Sequence, residues 1–331
     1  MDRTQPTPSP RPFKRPRLAS LASPSPWPLL VSISNTHVLT TTMTPSSASS
    51  PTSVLCARLE EDGYLLLRGL LPREEVLRAR EVIADDLRKG GFVDEGTDKD
   101  NEGGLRIKAG TEDPGPKLLA RQDLACHPDV LNVLEHRSLR ALMARLLSPS
   151  PTTKTHPYKW LRAVPTSLHT GPHLDSTYFP SSQYPSLLTA WIPLGDLSPS
   201  LGTIVVATSS SLSLAPVELG SDGTRSGWIE GVEGLETGWV TEWVRMGDVV
   251  VIGRERVHCS SVNVEGEWRL SCDTRWMGSG VEEQEGERKE GESGSEEDGS
   301  DAYEDRSSEE DDPSGEEEGD AVQMGEGNSS R

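Results

Sequence analysis

From Trp268 to Trp276 the sequence alternates without a break. Arg269, Ser271, Asp273 and Arg275 fall on one side of an extended backbone, and Trp268, Leu270, Cys272, Thr274 and Trp276 on the other, because successive side chains of a strand point to opposite faces. A buried guanidinium without a partner is costly. One charged face on an otherwise apolar strand therefore implies an enclosed lumen that binds something charged, and no other segment constrains the fold as strongly.

The surroundings agree with a β architecture. After Pro151, short apolar segments rich in Val, Ile, Thr and Trp alternate with Gly, Pro and Ser breaks, which is how a β-barrel or sandwich reads. Strands are expected at residues 158–163, 170–175, 187–194, 202–207, 248–257 and 268–276. Upstream, a turn at Asp62-Gly63 leads into a short strand closed by Gly69, and Pro72 opens a helix that is apolar at Val76, Leu77, Ala79, Val82, Ile83 and Leu87 and stops at Gly90-Gly91. A second helix is expected from Pro128 to Leu147, with Val130, Leu134, Leu142 and Leu146 in its buried stripe. Residues 209–245, with Trp228, Trp239 and Trp243, form a long insertion that reads as a lid or as an apolar patch packed on the barrel. The class is mainly β with flanking helices.

Composition sets both ends apart. Residues 1–50 carry Asp2 against five basic residues in a Pro/Ser/Thr-rich setting, and from Gly278 onward 21 acids stand against four basic residues in a Gly/Ser/Glu-rich run. The centre keeps only about −7 of the net charge of −20. Residues 1–53 are thus expected to be a disordered N-terminal extension, 54–277 the folded domain and 278–331 a disordered acidic tail; Met43 reads as an alternative start with little lost from the fold. The acidity belongs mainly to the tail, and the absence of a basic stripe argues against nucleic acid as a partner. No apolar run is long enough to span a membrane. Four cysteines (Cys56, Cys126, Cys259, Cys272) without a CxxC pair, and no signal peptide, read as a reduced intracellular protein. Its expected place is the cytoplasm, with nuclear import through the Lys14-Arg15-Pro16-Arg17 cluster as the alternative; Ser329-Ser330-Arg331 is no peroxisomal signal.

The chemistry concentrates at His173-x-Asp175, at His258, and at Arg269 eleven positions further on. Two imidazoles and one carboxylate occupy one face of a divalent iron and leave other positions open, while an arginine suits a dicarboxylate co-substrate. On a strand, His173 and Asp175 would share a face with Leu174 turned away. His258, at the end of the apolar run from Val249 to Ile252, would bring the third ligand from a neighbouring strand. A lone His-x-Asp carries little weight; the ordered set in strand contexts carries more. Other groups read as ordinary. Asp98-Lys99-Asp100-Asn101-Glu102-Gly103 imitates half of an EF-hand loop, with Ala109 where a bidentate Glu is required. His127, His136 and His156 read as surface or hydrogen-bonding residues, His169 as a reserve ligand, and Cys259 as a small buried residue facing away from the site. Ser295 and Ser307-Ser308 lie in acidic settings that suit acid-directed kinases.

The runs Lys159-Trp160-Leu161-Arg162-Ala163-Val164, Thr170-Gly171-Pro172-His173-Leu174-Asp175, Leu188-Thr189-Ala190-Trp191-Ile192-Pro193-Leu194, Leu201-Gly202-Thr203, Gly247-Asp248-Val249-Val250 and Arg269-Leu270-Ser271-Cys272-Asp273-Thr274-Arg275-Trp276 together resemble the phytanoyl-CoA dioxygenase family, over residues 54–277. The resemblance implies a double-stranded β-helix (jelly roll, cupin-like) holding Fe(II), with 2-oxoglutarate and O₂ as co-substrates. It implies His173, Asp175 and His258 as metal ligands, Arg269 as the partner of the distal carboxylate of 2-oxoglutarate, Ser271 as a second donor to that carboxylate and Trp191 as a wall of the pocket. The implied reaction hydroxylates a small organic molecule, a lipid acyl chain or a specialised metabolite, and releases succinate and CO₂. Related halogenating enzymes lack the carboxylate ligand, so Asp175 favours a hydroxylase. Where many members continue Gly-Thr into a Gly-Ser-His segment, Gly202-Thr203 leads through Ile204–Ala207 to Thr208-Ser209-Ser210-Ser211, a departure on the substrate side. Two competing readings are a non-catalytic jelly-roll scaffold acting through its charged tails, and a cupin-like metalloenzyme that leaves Arg269 and Ser271 without a role.

Overall fold

The structure, a computed structural model, describes residues 29–33, 36–94, 104–109, 118–148, 152–208 and 238–279. Strand β1 (Leu29–Ile33) pairs antiparallel with β2 (Thr36–Thr42), and the two-residue β3 (Pro45–Ser46) follows. Helix α1 (Thr52–Glu61) runs into the Asp62-Gly63 turn and β4 (Tyr64–Leu67). Helix α2 (Arg73–Lys89) has Glu74 and Glu75 in its first turn and Arg88 and Lys89 in its last, charges that complement its dipole. The short α3 (Gln122–Ala125) precedes α4 (Pro128–Leu134) and α5 (Arg137–Leu146). Then come β5 (Thr152–Thr155), β6 (Trp160–Val164), the one-turn α6 (Asp175–Tyr178), β7 (Leu187–Pro193), β8 (Ile204–Ala207), β9 (Trp239–Thr241), β10 (Val249–Gly253), β11 (His258–Ser260) and β12 (Arg269–Ser279).

These strands form two sheets. The larger has the order β3-β4-β10-β7-β12-β5, with β6 on the same edge of β12 as β5; the smaller is β1-β2-β9-β8-β11. Packed face to face, the sheets make the double-stranded β-helix. The apolar runs of β4 and β10 are buried throughout because both faces of the larger sheet are covered. Leu65, Leu67, Val249 and Val251 face the helices, packing with Val76, Ile83, Val130 and Leu142. Their neighbours Tyr64, Leu66, Val250 and Ile252 face inward, against Ile204, Val206 and Val240 of the smaller sheet. Strand β12 obeys the alternation expected of it: Trp268, Leu270, Cys272 and Trp276 join the helix-side core, while Arg269, Asp273 and Arg275 line the lumen.

Several expectations are corrected. Residues 29–33 and 36–53 are not a disordered extension: β1 and β2 complete the smaller sheet through parallel pairing of Thr40–Thr42 with Trp239–Thr241. The β-branched residues Val31, Ile33, Val38 and Thr40–Thr42 favour this conformation, but the partner strand lies about two hundred positions away and leaves no local sign. A start at Met43 would delete both strands, and Met43 itself is buried against Tyr64 and Leu66. The single helix expected to Leu147 is two, because the His136 side chain accepts a hydrogen bond from the backbone N–H of Ser138 at 3.2 Å and starts a new helix. Residues 170–175 are not a strand; one bridge, His173 to His258, replaces it, and Asp175 opens α6. The strand expected at 248–257 ends at Gly253, and His258 begins β11 in the other sheet. The end of the 209–245 insertion supplies β9, and Trp239 is buried there while Trp243 is exposed. Trp228, the first half of the EF-hand-like run and the serines of the acidic tail lie outside the described residues. No described helix is long and apolar enough to cross a membrane.

Candidate metal centre

His173 and His258 meet at that bridge, each backbone N–H donating to the other's carbonyl at 3.0 and 3.1 Å, with ring centroids 4.3 Å apart. Leu174 is extended (φ −112°, ψ 132°), so His173 and Asp175 still project together although no strand carries them, and Leu174 packs on the outer face of the smaller sheet with Val205 and Cys259. One ligand atom from each of His173, Asp175 and His258 lies within 4.8 Å of the others, and all three residues are buried.

The tautomers follow from the backbone. His173 Nδ1 donates to the Gly171 carbonyl and His258 Nδ1 to the Arg256 carbonyl, both at 2.9 Å. A carbonyl only accepts, so each Nδ1 carries a proton, and Nε2 is the nitrogen of each ring left to face a metal. Burial, reinforced by the neighbouring His258, pushes the His173 pKa down to about 3, which keeps the ring neutral near pH 7. Burial raises the Asp175 pKa, but Arg275, His258, His173 and the Thr189 hydroxyl together outweigh it and hold the carboxyl well below its ordinary range. The result is two imidazoles and one carboxylate, the donor set that suits a non-haem iron with open positions.

Asp175 is held on both oxygens. Arg275 Nη2 donates to Oδ1 at 2.8 Å and the Thr189 hydroxyl donates to Oδ2. Arg275 also donates to Asp273 and stacks over Trp160, 4.0 Å from the ring centroid, while Arg162 Nε donates to the other Asp273 oxygen at 3.3 Å. At the other end of β12, the Arg269 guanidinium donates to Ser271 Oγ at 2.5 Å and to Ser260 Oγ at 3.2 Å. Ser260 Oγ also accepts the Thr170 backbone N–H at 2.8 Å. The Thr170 hydroxyl in the same wall is buried without a hydrogen-bond partner among the described residues. Trp191, buried on β7, closes another side of this cavity.

The structure thus brings His173, Asp175, His258, Arg269 and Trp191 to one cavity, with Ser271 bonded to Arg269 at its edge. His169 is outside the three-residue cluster. Cys259 is buried and its thiol is pushed far up by desolvation, so it stays protonated and is a poor ligand. Sequence reasoning gave no role to Arg275, Thr189 or Arg162. The alternation of β12 signalled that Arg275 faces the lumen, but nothing in the sequence names its partner one hundred residues upstream.

Fold and cluster together define a double-stranded β-helix protein with a candidate two-histidine, one-carboxylate metal centre. Residues 59–271 match the sequence profile of phytanoyl-CoA dioxygenase, and the chain belongs to that family, whose members are Fe(II)- and 2-oxoglutarate-dependent oxygenases. No curated protein sequence matches the chain. Among solved structures, the chain is similar to the non-haem α-ketoglutarate-dependent carbocyclase SnoK of nogalamycin biosynthesis (21% identity, 71% of this chain and 87% of that one, TM-score 0.49). It is also similar to the epimerase SnoN in complex with Fe³⁺, α-ketoglutarate and nogalamycin RO (23%, 68% and 83%, TM-score 0.48) and to EctD from S. alaskensis with 2-oxoglutarate and 5-hydroxyectoine (15%, 71% and 78%, TM-score 0.48).

Proposed function

We propose that this protein is an Fe(II)/2-oxoglutarate-dependent hydroxylase of a small organic molecule. The observation that carries the reading is the convergence of one ligand atom each from His173, His258 and the Asp175 carboxylate within 4.8 Å, beside the cavity that Arg269 lines. The chemistry of the donor set fits iron, and the buried Thr170 hydroxyl, with Ser260 beside Arg269, fits a distal carboxylate that accepts from all three.

Iron bound with 2-oxoglutarate and O₂ supplies an oxidant, at the cost of decarboxylating the co-substrate to succinate and CO₂. The protein's part is binding and exclusion. His173, Asp175 and His258 would hold the metal, with both imidazoles oriented by backbone carbonyls. Arg269 and Ser271 fix the far end of 2-oxoglutarate with a planar fork that an ammonium would not match. Trp191 walls the co-substrate and, with Ile204 and Ile252, keeps water from the reacting carbon. The carboxylate of Asp175 occupies the position that a halide needs, which favours oxygen insertion over halogenation. Free thiols at all four cysteines suit the cytoplasm, where such an enzyme would meet a small-molecule substrate.

Purified protein with Fe(II) and ascorbate is expected to convert 2-oxoglutarate to succinate, and His173→Ala or Asp175→Ala to abolish that turnover. Unchanged succinate formation in either variant would overturn the assignment; loss of turnover with no oxygenated product from any tested substrate would overturn hydroxylation alone.

A further inference from the structure

Arg162 lies on β6, opposite Ser271 of β12, and lines the cavity together with His173, His258 and Arg269. Its Nε is engaged by Asp273 at 3.3 Å, but its Nη groups make no hydrogen bond to a described residue. The side chain is 15% exposed at the cavity wall, so these donors are open to a molecule that enters the cavity. A guanidinium has five N–H donors in a rigid fork whose natural complement is a carboxylate.

Charge balance points the same way. Three guanidiniums line the cavity: Arg275 pairs with Asp175 and Asp273, Arg162 pairs with Asp273, and Arg269 lies on the same wall. A divalent metal ion and the doubly negative co-substrate cancel, leaving one positive charge in a space where uncompensated charge is costly. Both Nη groups of Arg275 are engaged, by Asp175 and Asp273, and its plane stacks on Trp160. Arg269 is assigned above to the distal carboxylate of 2-oxoglutarate. Arg162 is the cavity guanidinium whose two Nη groups make no hydrogen bond to a described residue.

We infer that Arg162 binds a carboxylate of the primary substrate, so that the molecule oxidised is a carboxylic acid bound through its anion beside the metal. This rests on the Fe(II)/2-oxoglutarate reading above. The other carboxylate within range is the metal-binding end of 2-oxoglutarate itself, and the experiment separates the two.

In the first arm, the full chain is titrated anaerobically with Fe(II) and 2-oxoglutarate, following the visible charge-transfer band of the chelate, for wild type, Arg162→Gln and Arg269→Gln. Arg269→Gln is expected to weaken 2-oxoglutarate by about tenfold or more, and Arg162→Gln by no more than about twofold. In the second arm, Mn(II) and 2-oxoglutarate are kept present without O₂, and hexanoate, benzoate and their primary amides are titrated calorimetrically. Wild type is expected to prefer acid over amide by about fivefold or more. Arg162→Gln should lose that preference and Arg162→Lys should restore part of it. A merely structural role would weaken acid and amide alike. The inference is overturned if Arg162→Gln loses 2-oxoglutarate as severely as Arg269→Gln, or if wild type binds acids and amides equally or binds neither. Absence of the charge-transfer band in wild type removes the underlying reading, and this inference with it.

Discussion

Replacing Arg275 with Met tests the electrostatic support of the metal site without touching a ligand. Asp175 is fully buried, and its charge is compensated chiefly by the Arg275 fork at 2.8 Å, with Thr189 on the second oxygen. Asp273 would keep Arg162 at 3.3 Å, and Met would keep part of the apolar contact with Trp160. The loss is therefore dominated by one buried carboxylate left without its cation, for which about 3–5 kcal/mol is the usual cost. For a folded region of this size that is a fall in Tm of roughly 6–20 °C. The assay is urea unfolding followed by tryptophan fluorescence, in EDTA and again in excess Mn(II). A divalent ion at Asp175 replaces the missing positive charge, so Mn(II) should recover more stability in Arg275→Met than in wild type. Pairing Arg275→Met with Asp175→Asn in EDTA should cost much less than the sum of the single changes, because no orphaned charge remains. A single variant within about 1 kcal/mol of wild type, or an equal Mn(II) effect in both proteins, would refute the reasoning.

Beginning the chain at Met43 removes β1 and β2 and uncovers the site where Val31 and Ile33 pack on Val205 and Trp239; a loss of at least about 3 kcal/mol is expected from those two side chains, and an unchanged urea midpoint would argue that the hairpin is peripheral. Gly63 sits at φ +76°, and a Cβ there would fall 1.7 Å from Arg256 Nε. Gly63→Ala must then displace a guanidinium that donates to the carbonyls of Glu61 and Thr208, at a cost of about 2 kcal/mol or more, and adding Arg256→Met should soften the effect in thermal melts. Lys159 Nζ donates to Thr155 Oγ1 and the His156 carbonyl, both at 2.7 Å, and pairs with Glu135 at 2.9 Å. Burial alone would raise the Glu135 pKa, but Thr155 and Lys159 hold it below its ordinary value. A carboxyl with a depressed folded pKa stabilises above its unfolded pKa and loses that contribution as pH falls through the folded value. Lys159→Met should therefore cost about 1–3 kcal/mol near pH 7 and less near pH 3; denaturation curves with a constant gap would contradict the pairing.

What the sequence makes legible follows from the range of the interactions involved. Strand β12 reads correctly from residues 268–276 alone because a period of two with unlike faces is a local signal. Helix α2 reads equally well from its three-to-four spacing and the Gly90-Gly91 stop. Where the partner is distant the signal fails. Thr36–Thr42 resembles a polar tail until Trp239–Thr241 is beside it, and the break between α4 and α5 needs the His136 side chain turned onto its own backbone. The His173-x-Asp175 spacing brings its two side chains together for a reason other than the expected one: a single extended residue, Leu174, does what a whole strand was expected to do.

The two arginines of β12 show the same limit at the site. Both face the lumen six residues apart, about 20 Å along an extended strand, and alternation alone does not tell them apart. Their partners do. Arg275 is clamped between Asp175 and Asp273 and stacked on Trp160, so its charge is committed to holding a protein carboxylate in place. Arg269 donates to the hydroxyls of Ser260 and Ser271 at the cavity wall. A cation clamped between protein carboxylates holds those carboxylates in place, whereas one oriented by hydroxyls on a cavity wall is placed to meet an incoming anion. Arg275→Lys should therefore register first in stability and metal retention, and Arg269→Lys first in the affinity for 2-oxoglutarate. Equal effects of both substitutions on both measurements would mean that the division of labour along β12 is absent.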